Sequence, residues 1–324
     1  MTTAIRMQEV ALVQIDLDEA ALEMVASPDL DRLRISLKEV GLLNPPWLRP
    51  HPEGRRWQVV TGTRRIKVAA DLGWQKITAR MLPEGTPDFY CLLLHLMDNA
   101  FTRGFNLWEQ ADLAARLLEH CDRETLATKY LPYLGLPPSP AFLTRLLKAA
   151  SLEPPWPRLV AQGRLALTAA ASLAEWVPED RAAAWPFLES LRLSQSKQEE
   201  LLEQAAILAR REGVSAAAIL ARNELRLALA DPDRSPQEKT ETVRRQLFRW
   251  FYPRLSAARE AFEATLGKLG WKGPPRFRLH PPAVFEGPDF RLEIKFRDAP
   301  ELQQLLAEIV RLTRQEDFVD LTRS

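Results

Sequence analysis

Two adjacent arginines, Arg64 and Arg65, follow an apolar run and a Thr-Gly-Thr turn, at the point where a helical pattern begins. The first turn of a helix leaves backbone N–H groups unpaired and carries partial positive charge. Guanidinium groups at that end favour phosphate binding. The sequence therefore predicts an anion site at Gly62, Thr63, Arg64 and Arg65. The alternative is an ordinary solvated helix turn whose arginines pair with nearby acids.

The composition limits the classes of partner. The 324 residues carry 44 Lys and Arg against 43 Asp and Glu, a net charge of +1, so contact with nucleic acid requires a local basic face. Two cysteines without metal-type spacing favour a reduced, cytoplasmic setting. We expect a cytoplasmic protein without membrane contact, because no apolar run reaches bilayer length and the first residues lack a signal-peptide pattern.

Three patterns follow one another along the chain. Strand-like and helical segments alternate at first, which predicts a small α/β unit. From Asp88 onward amphipathic helices succeed one another, separated by proline pairs. An Asp- and Pro-rich segment then precedes an α-β-β-α pattern. We expect a mostly helical α+β protein, with domains at 1–105, 106–229 and 238–324 and a linker at 230–237.

The arginine pair belongs to one of three motifs that occur in order. Residues 61–65, continuing to Gly73, resemble the arginine box of the ParB family of chromosome and plasmid partition proteins, usually G-E-R-R-x-R-A. The segment Gly41-Leu42-Leu43-Asn44-Pro45-Pro46 resembles the first box of that family. Residues 98–103 and 107–111 resemble its third box, usually E-N-x-x-R followed by E-x-A. Three motifs in the family's order are more specific than any one alone.

This resemblance implies a ParB/sulfiredoxin-like N-terminal domain that binds CTP with Mg²⁺. It assigns nucleotide binding to Asn44, Gly62, Thr63, Arg64, Arg65 and Arg103, and the metal to Asp98 and Asn99. Carboxylate and amide oxygens are hard ligands that suit Mg²⁺. A polar helix end is the alternative interpretation of Asp98 and Asn99. Thr63 stands at the usual glutamate, and no general base is visible, so the catalytic residues are unknown and slow CTP hydrolysis is left open.

The helical middle of the chain resembles the family's helix-turn-helix, with Phe142–Lys148 as the recognition helix. The resemblance implies DNA contacts from Lys129, Arg145 and Lys148, and homodimerisation through the C-terminal unit. The connection 130–140 is long, rich in proline and without basic residues. Because DNA affinity depends largely on phosphate neutralisation, we expect weak or altered DNA binding. An ordinary exposed helix face is the alternative interpretation of these cations.

Three functions are compatible with the sequence. The first is a nucleotide-gated, DNA-binding dimer that acts in DNA partition or regulation, in the cytoplasm at the nucleoid. The second is an adaptor of the same fold that has lost specific DNA binding. The third is a nuclease or phosphotransferase; sulfiredoxins share the fold, but this chain has Thr63 at the place of their catalytic cysteine, so thiol chemistry is not expected.

Overall fold

The computed structural model describes residues 6–17, 30–51, 54, 56–102, 104–271, 276–282 and 285–323. The expected mostly helical α+β class is confirmed, with a mixed sheet near the N-terminus and a two-stranded sheet near the C-terminus. Internal contacts divide the chain into two compact units, 1–202 and 203–324, and the division falls within helix α10 (Gln195–Glu212). The four-part division at 105, 229 and 237 stays a prediction.

A five-stranded mixed sheet organises the start of the first unit. Its strands are β1 (Arg6–Ala11), β2 (Ile15–Asp16), β3 (Trp47–Pro50), β4 (Trp57–Thr61) and β5 (Lys76–Met81), in the order β1-β5-β3-β4-β2. Strand β3 pairs antiparallel with β4 and parallel with β5. Alternation along β5 buries Ile77, Ala79 and Met81, because successive side chains of a strand point to opposite faces.

Three helices complete the α/β part: α1 (Asp31–Val40), α2 (Thr63–Asp71) and α3 (Asp88–Ala100). Along the chain strands and helices alternate, as the sequence predicted for a small α/β unit. Helix α2 buries Ile66, Val68 and Ala69 against the sheet core, which leaves its polar side and its first turn outside that core. Helix α3 packs against β4. The first turn of α2 and one side of α3 therefore flank the end of β4.

Gly62 makes the connection from β4 to α2. Its φ of 93° lies in the left-handed region that favours glycine. A Cβ at this position would lie 2.7 Å from Pro46 Cβ, which is too close for any side chain without a backbone shift. The Gly62 carbonyl accepts the Ile66 N–H and so begins the helical ladder of α2. The glycine corner therefore fixes where the first turn of α2 lies.

The helices that follow in the first unit are α4 (Leu107–Leu118), α5 (Arg123–Thr125), α6 (Pro140–Ala150), α7 (Trp156–Ala161), α8 (Leu167–Leu173) and α9 (Pro178–Ser190). Side-chain caps begin three of them, since Asn106, Asp122 and Ser139 each accept a backbone N–H three residues on. Between α5 and α6 the chain forms a π-helical turn, Leu126–Tyr130, and a 3-10 turn, Leu131–Leu134. The predicted recognition segment lies within α6; its helix-turn-helix role stays a prediction.

The second unit begins within α10 and contains α11 (Ala216–Leu220), α12 (Asn223–Ala230), α13 (Pro236–Phe251), α14 (Pro253–Lys268), β6 (Phe277–His280), β7 (Arg291–Ile294), α15 (Ala299–Thr313) and α16 (Glu316–Arg323). Helices α13 and α14 are separate, because Pro253 begins a new helix. Phe262, Phe277 and Ile309 lie in one buried cluster with apolar residues of α16. From α13 onward the order is two helices, two strands and two helices, which contains the α-β-β-α pattern predicted for residues 238–324.

Replacement of Gly62 by alanine is expected to destabilise the protein. Gly62→Ala adds both left-handed strain and the overlap with Pro46, whereas Gly73→Ala adds only the strain, since nothing lies within 4 Å of its Cβ position. We expect Gly62→Ala to lower the free energy of unfolding by at least about 1 kcal/mol more than Gly73→Ala, measured by urea denaturation. Equal losses in the two variants would contradict the close approach to Pro46.

Candidate functional site

A cavity of about 220 Å³ lies where the three sequence motifs meet. Residues from α1, the segment before β3, the first turn of α2 and the end of α3 line it: Leu33, Asn44, Gly62, Thr63, Arg64, Arg65, His95, Asp98, Asn99 and Thr102. This set contains every described residue for which the sequence predicted nucleotide or metal binding. Arg103, the remaining candidate, lies outside the described residues. The structure thus brings the candidates together, and their roles stay predictions.

Arg65 joins the three motifs physically. Its Nη2 lies 2.9 Å from Asp98 Oδ2 on α3, and its Nη1 donates to the Asn44 carbonyl at 2.5 Å. The two charged side chains are only 18% and 29% exposed, so their attraction is less screened than that of a surface pair. The interpretation of the arginines as partners of a nearby acid therefore applies to Arg65 when no ligand is present.

The first turn of α2 supplies the backbone part of the cavity. Thr63, Arg64 and Arg65 are its first three residues, and all of them line the cavity. Gly62 has no side chain with which to cap these N–H groups, and the helix end adds partial positive charge. With two guanidinium groups beside it, this wall of the cavity is suited to an oxyanion.

His95 is a member of the site that sequence analysis assigned no role. It is 6% exposed, and its Nδ1 lies 3.2 Å from the Val60 carbonyl oxygen. Because a carbonyl oxygen only accepts, Nδ1 must carry the proton in this contact. Asn99 Nδ2 donates to the His95 carbonyl at 2.9 Å, which orients the Asn99 amide. The spacing of His95, Asp98, Asn99 and Thr102, at i, i+3, i+4 and i+7, could have revealed this common face.

The metal candidates form a small donor set. Among the described residues no group of three or more His, Cys, Asp and Glu side chains is placed to hold a metal ion. A divalent cation held by Asp98 and Asn99 would therefore need further oxygen ligands from water or from a bound phosphate. Mg²⁺ characteristically binds in this way, with one or two carboxylates and the phosphates of a substrate, so the residues present fit it.

The predicted DNA contacts differ in their surroundings. Lys129 and Arg145 are exposed, and the Lys129 amine lies 5.2 Å from the centre of the Tyr130 ring. Lys148 instead forms an ion pair with Glu175, which lies after α8. Arg123, which the sequence analysis did not select, donates to Thr144 on α6 at 3.1 Å and adds an exposed cation beside that helix. The charge available near α6 therefore comes from Arg145 and Arg123 more than from Lys148.

A second cavity, of about 380 Å³, lies beside β3, β4, α3 and the end of α4, and Cys91 lines it. Arg49 donates to Gln58 at 2.7 Å and lies 3.6 Å from the Cys91 sulfur. Burial raises the pKa of the Cys91 thiol above its ordinary value, although the Arg49 guanidinium opposes this effect. A raised pKa makes the reactive thiolate form of this cysteine harder to reach.

No helix among the described residues is long and apolar enough to span a lipid bilayer.

Comparisons with known proteins agree with the motif analysis. Residues 2–88 match the family model of the ParB N-terminal domain. No curated protein matches the sequence. Among solved structures, the C-terminally truncated chromosome-partitioning protein ParB from Caulobacter crescentus is similar at 20% identity in two forms. Complexed to the centromeric parS site, it covers 61% of this chain and 99% of its own, with a TM-score of 0.34. Complexed with CTP-gamma-S, it covers 57% and 99%, with a TM-score of 0.27.

A Pnob8-like ParB-N domain is similar at 16% identity, over 70% of this chain and 97% of its own, with a TM-score of 0.37. The family match spans the sheet, the glycine corner and the arginine pair, and it ends where α3 begins. The similarity to the ParB N-terminal domain therefore covers residues 2–88 of this chain.

Proposed function

We propose that this chain is a ParB-type, nucleotide-dependent DNA-binding protein. It binds CTP with Mg²⁺ in the cavity at Gly62 and DNA through the segment around α6. It acts as a homodimer in chromosome or plasmid partition or in gene regulation, in the cytoplasm at the nucleoid. The observation that carries the proposal is the convergence of Asn44, Arg64, Arg65 and Asp98 on one cavity.

The cavity offers two kinds of favourable contact to the phosphates of a nucleotide. Arg64 and Arg65 offer charge-assisted hydrogen bonds, and the first turn of α2 offers backbone N–H groups and the positive end of the helix dipole. Such contacts gain strength where water is partly excluded, as it is around the 18% exposed Arg65 side chain. A triphosphate is the most highly charged common ligand that matches this wall.

The Arg65–Asp98 ion pair supports a requirement for a divalent cation. A phosphate that hydrogen-bonds to Arg65 weakens the attraction between Arg65 and Asp98. The Asp98 carboxylate then lies beside a second negative charge with less positive charge to balance it. Bound Mg²⁺ supplies positive charge that the Asp98 carboxylate and the phosphate oxygens share. Asp98 and Asn99 would hold the ion on the protein side, while Arg65 would stay between phosphate and carboxylate.

A second candidate function, an adaptor that has lost specific DNA binding, is favoured by one observation. Lys148 is paired with Glu175, so one of the three predicted DNA-contacting cations is already neutralised. In the long connection between α5 and α6, residues 130–139 add no basic side chain. The two functions differ in whether DNA is retained through α6, which can be measured directly.

Removal of Arg64 is expected to weaken CTP binding. One charge-assisted phosphate contact contributes about 2–3 kcal/mol, so Arg64→Ala should raise the Kd for CTP with Mg²⁺ by about 30- to 150-fold in isothermal titration. Lys38→Ala, which removes an exposed cation of α1 that does not line the cavity, is the matched control and should bind normally. Unchanged affinity in a normally melting Arg64→Ala protein would rule out this cavity as the phosphate site.

The same titration with ATP, GTP and UTP tests the base. If another nucleotide binds tightly and CTP gives no heat of binding, CTP is the wrong nucleotide, but the proposed phosphate site is unaffected.

Asp98→Asn is expected to uncouple nucleotide binding from the divalent cation. Without Mg²⁺, the variant should bind CTP about tenfold more tightly than the wild type, because the carboxylate that repels phosphate and competes for Arg65 is gone. Addition of Mg²⁺ should strengthen binding much less in the variant than in the wild type. Titrations with EDTA and with Mg²⁺ measure both effects. An unchanged dependence on Mg²⁺ would remove Asp98 from the metal site.

The variants of α6 test DNA binding. Arg145→Ala should reduce the slope of log K against log salt by about 0.9 for duplex DNA, because one phosphate contact is lost. Lys148→Ala should change it less, since Glu175 already holds that charge, and Glu175→Gln should strengthen binding. Fluorescence anisotropy with genomic duplex fragments measures these slopes. If DNA binding is the same in the Arg145→Ala variant as in the wild type, the adaptor function is favoured.

A further inference from the structure

The second unit has a cationic and aromatic surface for which the proposed function has no use. It lies at the junction of α13 and α14 and is called the arginine–aromatic surface here. Its members are Arg245, Phe248, Arg249, Tyr252, Arg254 and Arg259. All six belong to the unit 203–324, whereas the cavity and α6 belong to the unit 1–202.

The helical periodicity of α13 places part of this surface away from the core. Val243 and Leu247 are fully buried, on one side of the helix. Arg245, Phe248 and Arg249 recur at i, i+3 and i+4, on a stripe away from that buried side, and Tyr252 follows the last residue of α13. Arg245, Arg249 and Tyr252 are exposed and Phe248 is half-buried.

The rings and the guanidinium groups are interleaved. The Phe248 and Tyr252 rings lie 5.0 Å apart, and the Arg259 guanidinium lies 5.5 Å from the centre of the Phe248 ring. The Tyr252 residue is 45% exposed. An aromatic platform with an outward ring therefore lies directly beside cations.

The surface carries excess positive charge. Arg249 pairs with Glu260, which neutralises one of the four arginines. Within the described part of the chain, Arg245, Arg254 and Arg259 form no ion pair with a carboxylate, and all three are exposed. Three uncompensated arginines on one junction attract a polyanion.

The junction is also held in place. Arg211 donates from Nη2 to the Trp250 carbonyl at 2.6 Å and from Nη1 to the Phe251 carbonyl at 3.2 Å. These are carbonyls of the last turn of α13, which a helix leaves without intrahelical partners. The Arg222 guanidinium lies 4.6 Å from the centre of the Trp250 ring. The backbone that presents Tyr252 is thereby anchored, so little ordering is needed when a ligand binds.

We propose that the arginine–aromatic surface binds single-stranded nucleic acid. The arginines contact phosphates, and the Tyr252 ring stacks on an unpaired base. The combination of a cationic track with exposed rings is what sequence-tolerant single-strand binding requires. A duplex would use the arginines alone, because its base faces are stacked inside, whereas a single strand offers unpaired base faces beside its phosphates. The exposed ring therefore selects the single strand.

The test is fluorescence anisotropy of the full-length protein with a labelled thymidine oligonucleotide of about 16 nucleotides and with a duplex of equal length. We expect the single strand to bind more tightly. Tyr252→Ala should weaken its binding about fivefold or more, and Tyr252→Phe, which keeps the ring, should restore it. The double change Arg245→Ala with Arg254→Ala should lower the slope of log K against log salt by about 1.4.

The matched control is the double change Arg278→Ala with Arg291→Ala, which removes two exposed charges from β6 and β7 and should leave the slope unchanged. Arg64→Ala and Arg145→Ala should leave single-strand binding intact, which separates this surface from the cavity and from α6. Equal affinity for the duplex with no effect of Tyr252→Ala would overturn the proposal. The proposal would also be overturned if the protein binds vesicles of anionic phospholipid and does not bind the oligonucleotide.

Discussion

The contact of Arg65 with both Asp98 and the Asn44 carbonyl is the interaction on which the candidate site depends. It connects three segments that lie far apart in the chain, and it does so with a side chain that is mostly shielded from water. If one charged partner is removed, the other is left poorly solvated and without compensation, which is costly. The Arg65–Asp98 pair therefore contributes to both the shape and the charge of the cavity.

This arrangement requires a rigid start of α2. The left-handed Gly62 and its close approach to Pro46 fix the direction in which the helix leaves β4. The buried Ile66 and Val68 then hold the helix on the sheet, so that Arg65 lies opposite Asp98 instead of turning toward solvent. Packing on one side of α2 thus determines the electrostatics on the other side.

Local patterns in the sequence were sufficient to predict the succession of strands and helices and most of the residues that line the cavity. The pattern at Gly62, Arg64 and Arg65 indicates the start of a helix. The change of periodicity after the first strands predicts the class of fold. The spacing of His95 to Asp98 and Asn99 is a local signal that it shares their face of α3, but its contact with Val60 on strand β4 is tertiary and no local pattern encodes it. The pairing of Lys148 with Glu175 likewise depends on how helices pack. The strand order and the separate α16 also follow from tertiary contacts, which periodicity does not encode.

Because Asn44, Arg65 and Asp98 meet only when the sheet, α2 and α3 have assembled, the unfolded polypeptide has no equivalent of the cavity. Any compound that binds there shifts the folding equilibrium by mass action, and each hundredfold excess over its Kd adds about 2.7 kcal/mol to conformational stability. Marginally stable chains are degraded mainly from opened states. The lifetime of this protein in the cell would then follow the concentration of its ligand, even without any change in transcription.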